Sequence, residues 1–351
     1  MPRFAKFLSI LAVVMLTMTM LLACGEEDDD IGNGGNAGND GGSTPTNQPG
    51  STPTTGGDTG TPTQGADDEG IAHPTGDDES IIVISYEGGF VMPTMLLTRL
   101  PLFVLLGNGC VITEGPQIEI FPAPALPNLQ QTCLTEEGVQ DILKAAEEAG
   151  LLDGDADYPV ASIADAVSTV FTINANGTTT RVSAYALAEG EFSSPDLSPE
   201  EVEARKKLSD FLAQVTDLRS FLPEDAFVGE DEPYDIERLQ TVFIPKDSSM
   251  APMADEELQQ QELEWPGSTP IAQLEPFFME QEGLVCGVVE GDDLAPVLEM
   301  LGQANQLTLW SDTASTSGPA GTPDPSIEAE YYLLLRPLFP GNTGCSVDEA
   351  R

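Results

Sequence analysis

From Cys24 to Glu79 the sequence offers almost nothing from which a core could be built. The stretch is Gly, Thr, Asn, Pro and Asp, with thirteen acidic residues and no Lys or Arg. A chain this poor in large apolar side chains cannot offset its own conformational entropy, so it is expected to stay disordered. Its charges repel, and a flexible tract of this length spans roughly 40 Å or more. Folding is thereby confined to residues 80–351, which suffice for one large domain or two smaller packed ones.

The N-terminus explains why such a tract is there. Arg3 and Lys6 precede an uncharged run from Phe7 to Ala23, the pattern of a secretory signal. The 17 residues of that run fall short of the roughly 20 that span a bilayer, with an uncleaved anchor as the alternative. The run ends Leu21-Leu22-Ala23-Cys24, which resembles a bacterial lipobox, although Leu22 stands where a smaller residue is usual. The resemblance implies cleavage before Cys24 and lipidation of its sulfur, and two acyl chains give stable anchoring. The expected layout is a lipoprotein signal peptide over 1–23, an acidic stalk over 24–79 and a folded body over 80–351. The expected location is the extracytoplasmic side of a cell membrane, with the membrane as a partner through Cys24.

The body holds 46 of the 59 acidic residues and 11 of the 13 basic ones, a net charge near −35. Phosphates would be repelled, which excludes nucleic acid as a partner. Cationic partners, divalent cations or salty surroundings suit such a surface. The single histidine of the chain, His73, falls in the stalk, leaving none for the body as delimited. Ser-His-Asp and Cys-His systems and histidine metal sites are excluded on that basis. No GxxxxGK[ST] loop is present. Four cysteines remain after Cys24, and an even number in an exported body predicts two disulfides. Three pairings are open; Cys110–Cys133 and Cys286–Cys345 are preferred because each joins neighbours in one half of the chain, with free thiols as the alternative.

Strands are predicted from Ile81, on both sides of the Gly107-Asn108-Gly109 turn, on both sides of Asn176-Gly177, over Leu239 to Ile244, over Leu284 to Gly291, at LTLW and from Glu328. Ile118, Ile120 and Phe121 suggest a short edge strand before a proline-rich crossing. Helices are predicted after Thr135, after the Ser198-Pro199-Glu201 capping box and from Asp292. The segment between LTLW and Glu328 reads as a long exposed hairpin loop. The order argues for an α+β fold with mostly antiparallel sheets and about three helices. It leaves room for two similar β-α-β halves, 80–220 and 221–351, without a residue-level repeat.

Asp153, Asp155 and Asp157 alternate as ligands of a calcium loop do, but Tyr158 and Ala164 stand where an EF-hand needs Gly and Glu. A looser calcium loop including Asp165, or a plain polar turn after a helix, are the two readings; no other cofactor is indicated. Lys206 and Lys207 belong to a solvated helix face, and Glu290, Asp292 and Asp293 to a helix cap rather than a catalytic acid pair.

Several stretches taken together, GPQIEI with PALPNLQ, LTEEGVQDIL with EAGLL, TVFTI with VSAYAL, DLRSFLP, CGVVEG and LLRPLFPG before Cys345, are similar to a group of uncharacterised secreted bacterial lipoproteins. The resemblance covers most of Ile81 to Cys345 and implies localisation and domain extent, with no catalytic residues. The expected function is a non-enzymatic binding or interaction module of the cell envelope, for an unidentified protein or small-molecule ligand. A carboxylate-based hydrolase and a calcium-stabilised structural or adhesive domain are the alternatives.

Overall fold

The computed structural model describes residues 70–189, 196–253, 260–278, 282–312 and 329–346. All belong to the second of two compact units, Gln64–Arg351. Cys24, the apolar run 7–23 and the tract 24–69 lie outside the described residues, as does the expected loop over 313–328. Among the described residues no helix is long and apolar enough to cross a membrane.

The fold is α+β with two mostly antiparallel sheets. The first is built from β1 (Ser80–Gly88), β2 (Phe103–Leu106), β3 (Cys110–Glu114), β4 (Leu129–Leu134), β5 (Ala156–Tyr158), β6 (Val167–Ala175), β7 (Thr178–Tyr185) and β8 (Phe227–Pro233). Its order is β5-β7-β6-β1-β2-β3-β4-β8, with β5 and β7 the parallel pair. The second contains β9 (Arg238–Pro245), β10 (Glu262–Glu264), β11 (Glu275–Pro276), β12 (Val285–Glu290), β13 (Leu309–Ser311) and β14 (Glu330–Pro337), in the order β10-β13-β14-β9-β12-β11. Among the described residues five α-helices accompany them: α1 (Pro93–Thr98), α2 (Glu136–Glu148), α3 (Pro199–Thr216), α4 (Leu218–Phe221) and α5 (Leu294–Leu301).

Alternation along β1 decides what each face of the first sheet meets. Ile82 and Ile84 enter the cluster that includes Val139, Ile142 and Leu143 of α2 and Leu208, Phe211 and Val215 of α3. Val83, between them, packs on the opposite face with Val104, Ile112 and Phe339. A register shift between Ser80 and Ile82 lets Ile81 join Ile82 on the helix side. Thr135 accepts the Gly138 N–H at the start of α2, and Gly150, at φ 81°, follows its end. The Ser198 capping box starts α3, and Asn176 and Gly177, at φ 51° and 70°, turn β6 into β7.

In the second sheet β9 is central, and its neighbours β12 and β14 are both antiparallel to it. Leu239 and Phe243 face α5 and the Trp265–Trp310 pair, whereas Val242 and Ile244 face Leu97 of α1. The first-sheet loops therefore hold the second sheet from both sides. Gln240 Nε2 donates to Leu97 O at 3.1 Å on one side, and on the other Ala125 N and Gln306 N hydrogen-bond to Ala304 O and Ala123 O.

Three expectations are corrected. Acidic β8 pairs with β4, so the first sheet runs to Pro233 and the halves meet between Pro233 and Arg238, not at 220/221. The halves also differ in strand order: β6, the first strand of its hairpin, lies beside β1, whereas β14, the second of its pair, lies beside β9. Finally, the body starts before residue 80. Ile71 N donates to Gln140 Oε1 at 2.7 Å and Asn176 N to Ala72 O at 2.7 Å, so Gly70–Glu79 belongs to the body and brings His73 with it.

Candidate binding surface

Large apolar side chains left in water are the feature of this surface that burial does not explain. Among the described residues six of the eight lie on two loops, the others being Val228 on β8 and Met253. Phe90, 87% exposed, Met92 and Met95 lie on the connection from β1 to β2; Ile118, Ile120 and Phe121, 71% exposed, lie on that from β3 to β4. Each loop is pinned at its base. Arg99 Nη1 donates to Tyr86 O and Gly88 O, and buried Leu97 fixes α1, which leaves Met92 and Met95 facing out. Gly115 N donates to Asn128 O at 2.7 Å and Asn128 Nδ2 to Pro116 O at 2.9 Å, closing the neck of the second loop.

The edge strand expected at Ile118, Ile120 and Phe121 is absent among the described residues. Pro116 and Pro122 have no N–H to give a ladder, and Ile120 N is spent on Ile118 O in a tight turn at 2.9 Å. The three side chains stand out from the loop instead.

Register places both loops at one end of the first sheet. Gly88 pairs with Val167, Ile84 with Phe103 and Glu114 with Leu129. The N-terminal segment arrives at the other end, beside the Asn176 turn and Gly107. The nine residues of β1 separate the two ends by about 30 Å.

Both disulfides form as preferred. Cys110 and Cys133 are directly opposite in the β3–β4 ladder, and Cys286 of β12 holds Cys345 beyond β14. Cys345 N donates to Gln240 Oε1 at 2.9 Å, which also accepts from Arg336 Nη2 at 3.1 Å.

The calcium expectation does not gather a site. Asp155 Oδ1 accepts the Arg181 N–H at 2.8 Å, Asp157 is paired in register with Ser183, and Asp153 lies in the turn after α2. Among the described residues no three acidic, His or Cys side chains are placed to hold a metal ion. Alternation along β5 and its approach keeps these aspartates exposed rather than convergent. Asp153 and Asp155 do line an open groove of about 590 Å³ with Tyr158, Glu200, Glu203 and Lys207.

A glycosidase-type carboxylate pair needs one member held protonated. Among the described residues the carboxylates with a displaced pKa are all moved the other way. Glu136 is raised by burial but lowered further by the His73 and Gln140 hydrogen bonds, and Ser198 lowers Glu201 through the capping box. Thr132 and Arg219 lower Asp231, opposed by burial, and Ser249 with Ser248 lower Glu282. Glu290 pairs with Arg238 at 2.8 Å; Asp293 sits at the N-cap of α5, yet its side chain accepts from Ser268 rather than capping. Lys206 pairs with Asp210 at 2.7 Å on the exposed face of α3.

His73 also enters no nucleophile system. Nδ1 is 2.7 Å from Pro74 O and Nε2 is 3.0 Å from Glu136 Oε1, so both ring nitrogens are occupied. Arg205 went unread in the sequence: it is buried, donating to Tyr158 O and Tyr185 O, and desolvation lowers its pKa against the pull of Glu201. Its place three residues before Leu208 in the apolar stripe of α3 is the signal that marks it.

No protein-family model, curated protein or solved structure matches the chain.

Proposed function

We propose that this chain is an exported lipoprotein, anchored through Cys24 on the extracytoplasmic side of a membrane, whose disulfide-stapled body is a binding module. The observation that carries the binding reading is the pair of loops presenting Phe90, Met92, Met95, Ile118, Ile120 and Phe121 to solvent. In a body that from Gly70 carries a net charge near −38, from 49 acidic and 11 basic residues, exposed apolar side chains on pinned loops are the groups a partner would desolvate. The anchor reading rests on the basic start, the apolar run and Leu21-Leu22-Ala23-Cys24. The two disulfides support an oxidising compartment. The tethered end of the body and the apolar loops lie at opposite ends of the first sheet, an arrangement suited to presenting the loops outward.

The test is retention of the unlipidated Cys24→Ala chain on envelopes from cells that produce the protein. Saturable retention is expected, weakened at least ten-fold by combined Phe90→Ser and Phe121→Ser, with unchanged unfolding temperature. Equal retention of both forms would remove the loops from the function.

A further inference from the structure

The sole histidine of the chain sits where the N-terminal tract joins the body, its side chain only 6% exposed. Both of its ring nitrogens meet oxygen acceptors. Pro74 O is a carbonyl and can only accept, so Nδ1 donates across 2.7 Å. Glu136 Oε1, 3.0 Å from Nε2, belongs to a carboxylate that His73 and Gln140 hold ionised against the upward push of burial, and an ionised carboxylate can only accept. A neutral ring carries one proton and satisfies one of these contacts; an imidazolium satisfies both.

The same carboxylate is part of a larger clasp. Gln140 Nε2 donates to Glu136 Oε1 and to Ile71 O, both at 2.9 Å, and Gln140 Oε1 accepts from Ile71 N. Beyond it, Asn176 N donates to Ala72 O and Gly107 N to Glu79 O. Gly70–Glu79 is thus strapped across the first turn of α2 and the adjoining β turns. We propose that this strap is a proton-dependent fastening: it docks fully when His73 carries both ring protons and loosens from α2 when one is lost. Histidine is the side chain that ordinarily changes charge between pH 5 and 8, and the chain has no second one. The charged groups lining the two grooves that border His73 are Glu136, Glu137, Asp141, Lys144 and Glu147 of α2 and Asp78 and Glu79 of the strap. The β6–β7 hairpin contributes uncharged Asn174, Thr178 and Thr179, and the C-terminal loop uncharged Pro340 and Gly341.

This inference does not depend on the binding reading. It is tested in the full chain by nitrogen shifts of the single histidine together with amide exchange, corrected for intrinsic pH dependence. The expected result is two protonated ring nitrogens in the docked state. Protection of the Ile71 and Asn176 amides falls roughly ten-fold or more from pH 5 to pH 8, as loss of a hydrogen bond between charged groups implies. Glu136→Gln can donate to a neutral Nε2, so its protection should be nearly equal at the two pH values. Gln140→Ala removes the acceptor of the Ile71 amide, and should lower Asn176 protection at both pH values while keeping the wild-type ratio there. A neutral ring with a protected strap, a wild-type protection that does not change, or a Glu136→Gln chain that follows the wild type would each overturn the proposal.

Discussion

Gln240 shows how one polar side chain can organise a core. It is 2% exposed on central strand β9, at a position where strand alternation alone would place a hydrophobic residue. Its amide group donates to Leu97 O and accepts from Cys345 N and Arg336 Nη2, so α1, the C-terminal segment and β14 meet at one group. Gln240→Leu keeps the volume and strips these partners. Each buried polar group left without its bond costs about 1–3 kcal/mol, so urea unfolding is expected to show a loss of at least about 2 kcal/mol. A loss under about 0.5 kcal/mol would mean that water or neighbours replace the amide. This role was not legible in LQTVFIP, because a sequence shows that a residue is polar but not which distant backbone groups will need it. Arg205 is the same case on α3. His73 was misplaced for a related reason: its neighbours are loop-forming, and both its partner Glu136 and the Gln140 that holds neighbouring Ile71 are more than sixty residues away.

At the scale of elements, periodicity and turn chemistry were reliable where a single segment decides its own structure. The Thr135 and Ser198 caps, the Asn176-Gly177 turn and the Gly107–Gly109 turn all form from local bonds and local φ preferences. Elements whose form depends on a partner were misread. The sequence predicts no element over β8, yet β4 supplies its ladder and Arg219 lies over Phe227 while pairing with Asp231. Ile118 to Phe121 looks like a strand, yet no neighbour is there to pair with it among the described residues. The strap depends on a close approach at Gly107. A Cβ there would land on the Gly76 carbonyl oxygen and come within 2.8 Å of Gly76 N, both rigid backbone. Gly107→Ala is expected to cost about 1–3 kcal/mol in thermal or urea unfolding, as overpacking does, and to unprotect the Ile71 amide. Full stability with an intact strap would show that the approach is looser than this.

Across the whole molecule, two crosslinks secure different parts. Cys110–Cys133 closes a separation of 23 residues inside one ladder, whereas Cys286–Cys345 closes 59 and ties the C-terminal segment to β12. Loop entropy assigns them roughly 3 and 4 kcal/mol, so the paired Ser variant of the second should be the less stable in denaturant titrations. The reverse order would place the larger role in the β3–β4 pair. Fold class and both pairings were legible because composition, cysteine count and chain proximity act at long range without detailed contacts. The candidate surface was less so, since Phe90 and Phe121 are apolar residues like any other until the fold leaves them outside.

The lipid anchor at Cys24 is the premise on which the proposed role stands, and detergent-phase partition with intact-mass measurement tests it most directly. The full chain, produced in a bacterium with a lipoprotein pathway, is predicted to enter the detergent phase with a mature N-terminus at Cys24 and the added mass of acyl chains. Cys24→Ala is predicted to stay in the aqueous phase. A wild-type chain that stays aqueous, or that retains residues 1–23 unacylated, would contradict the account.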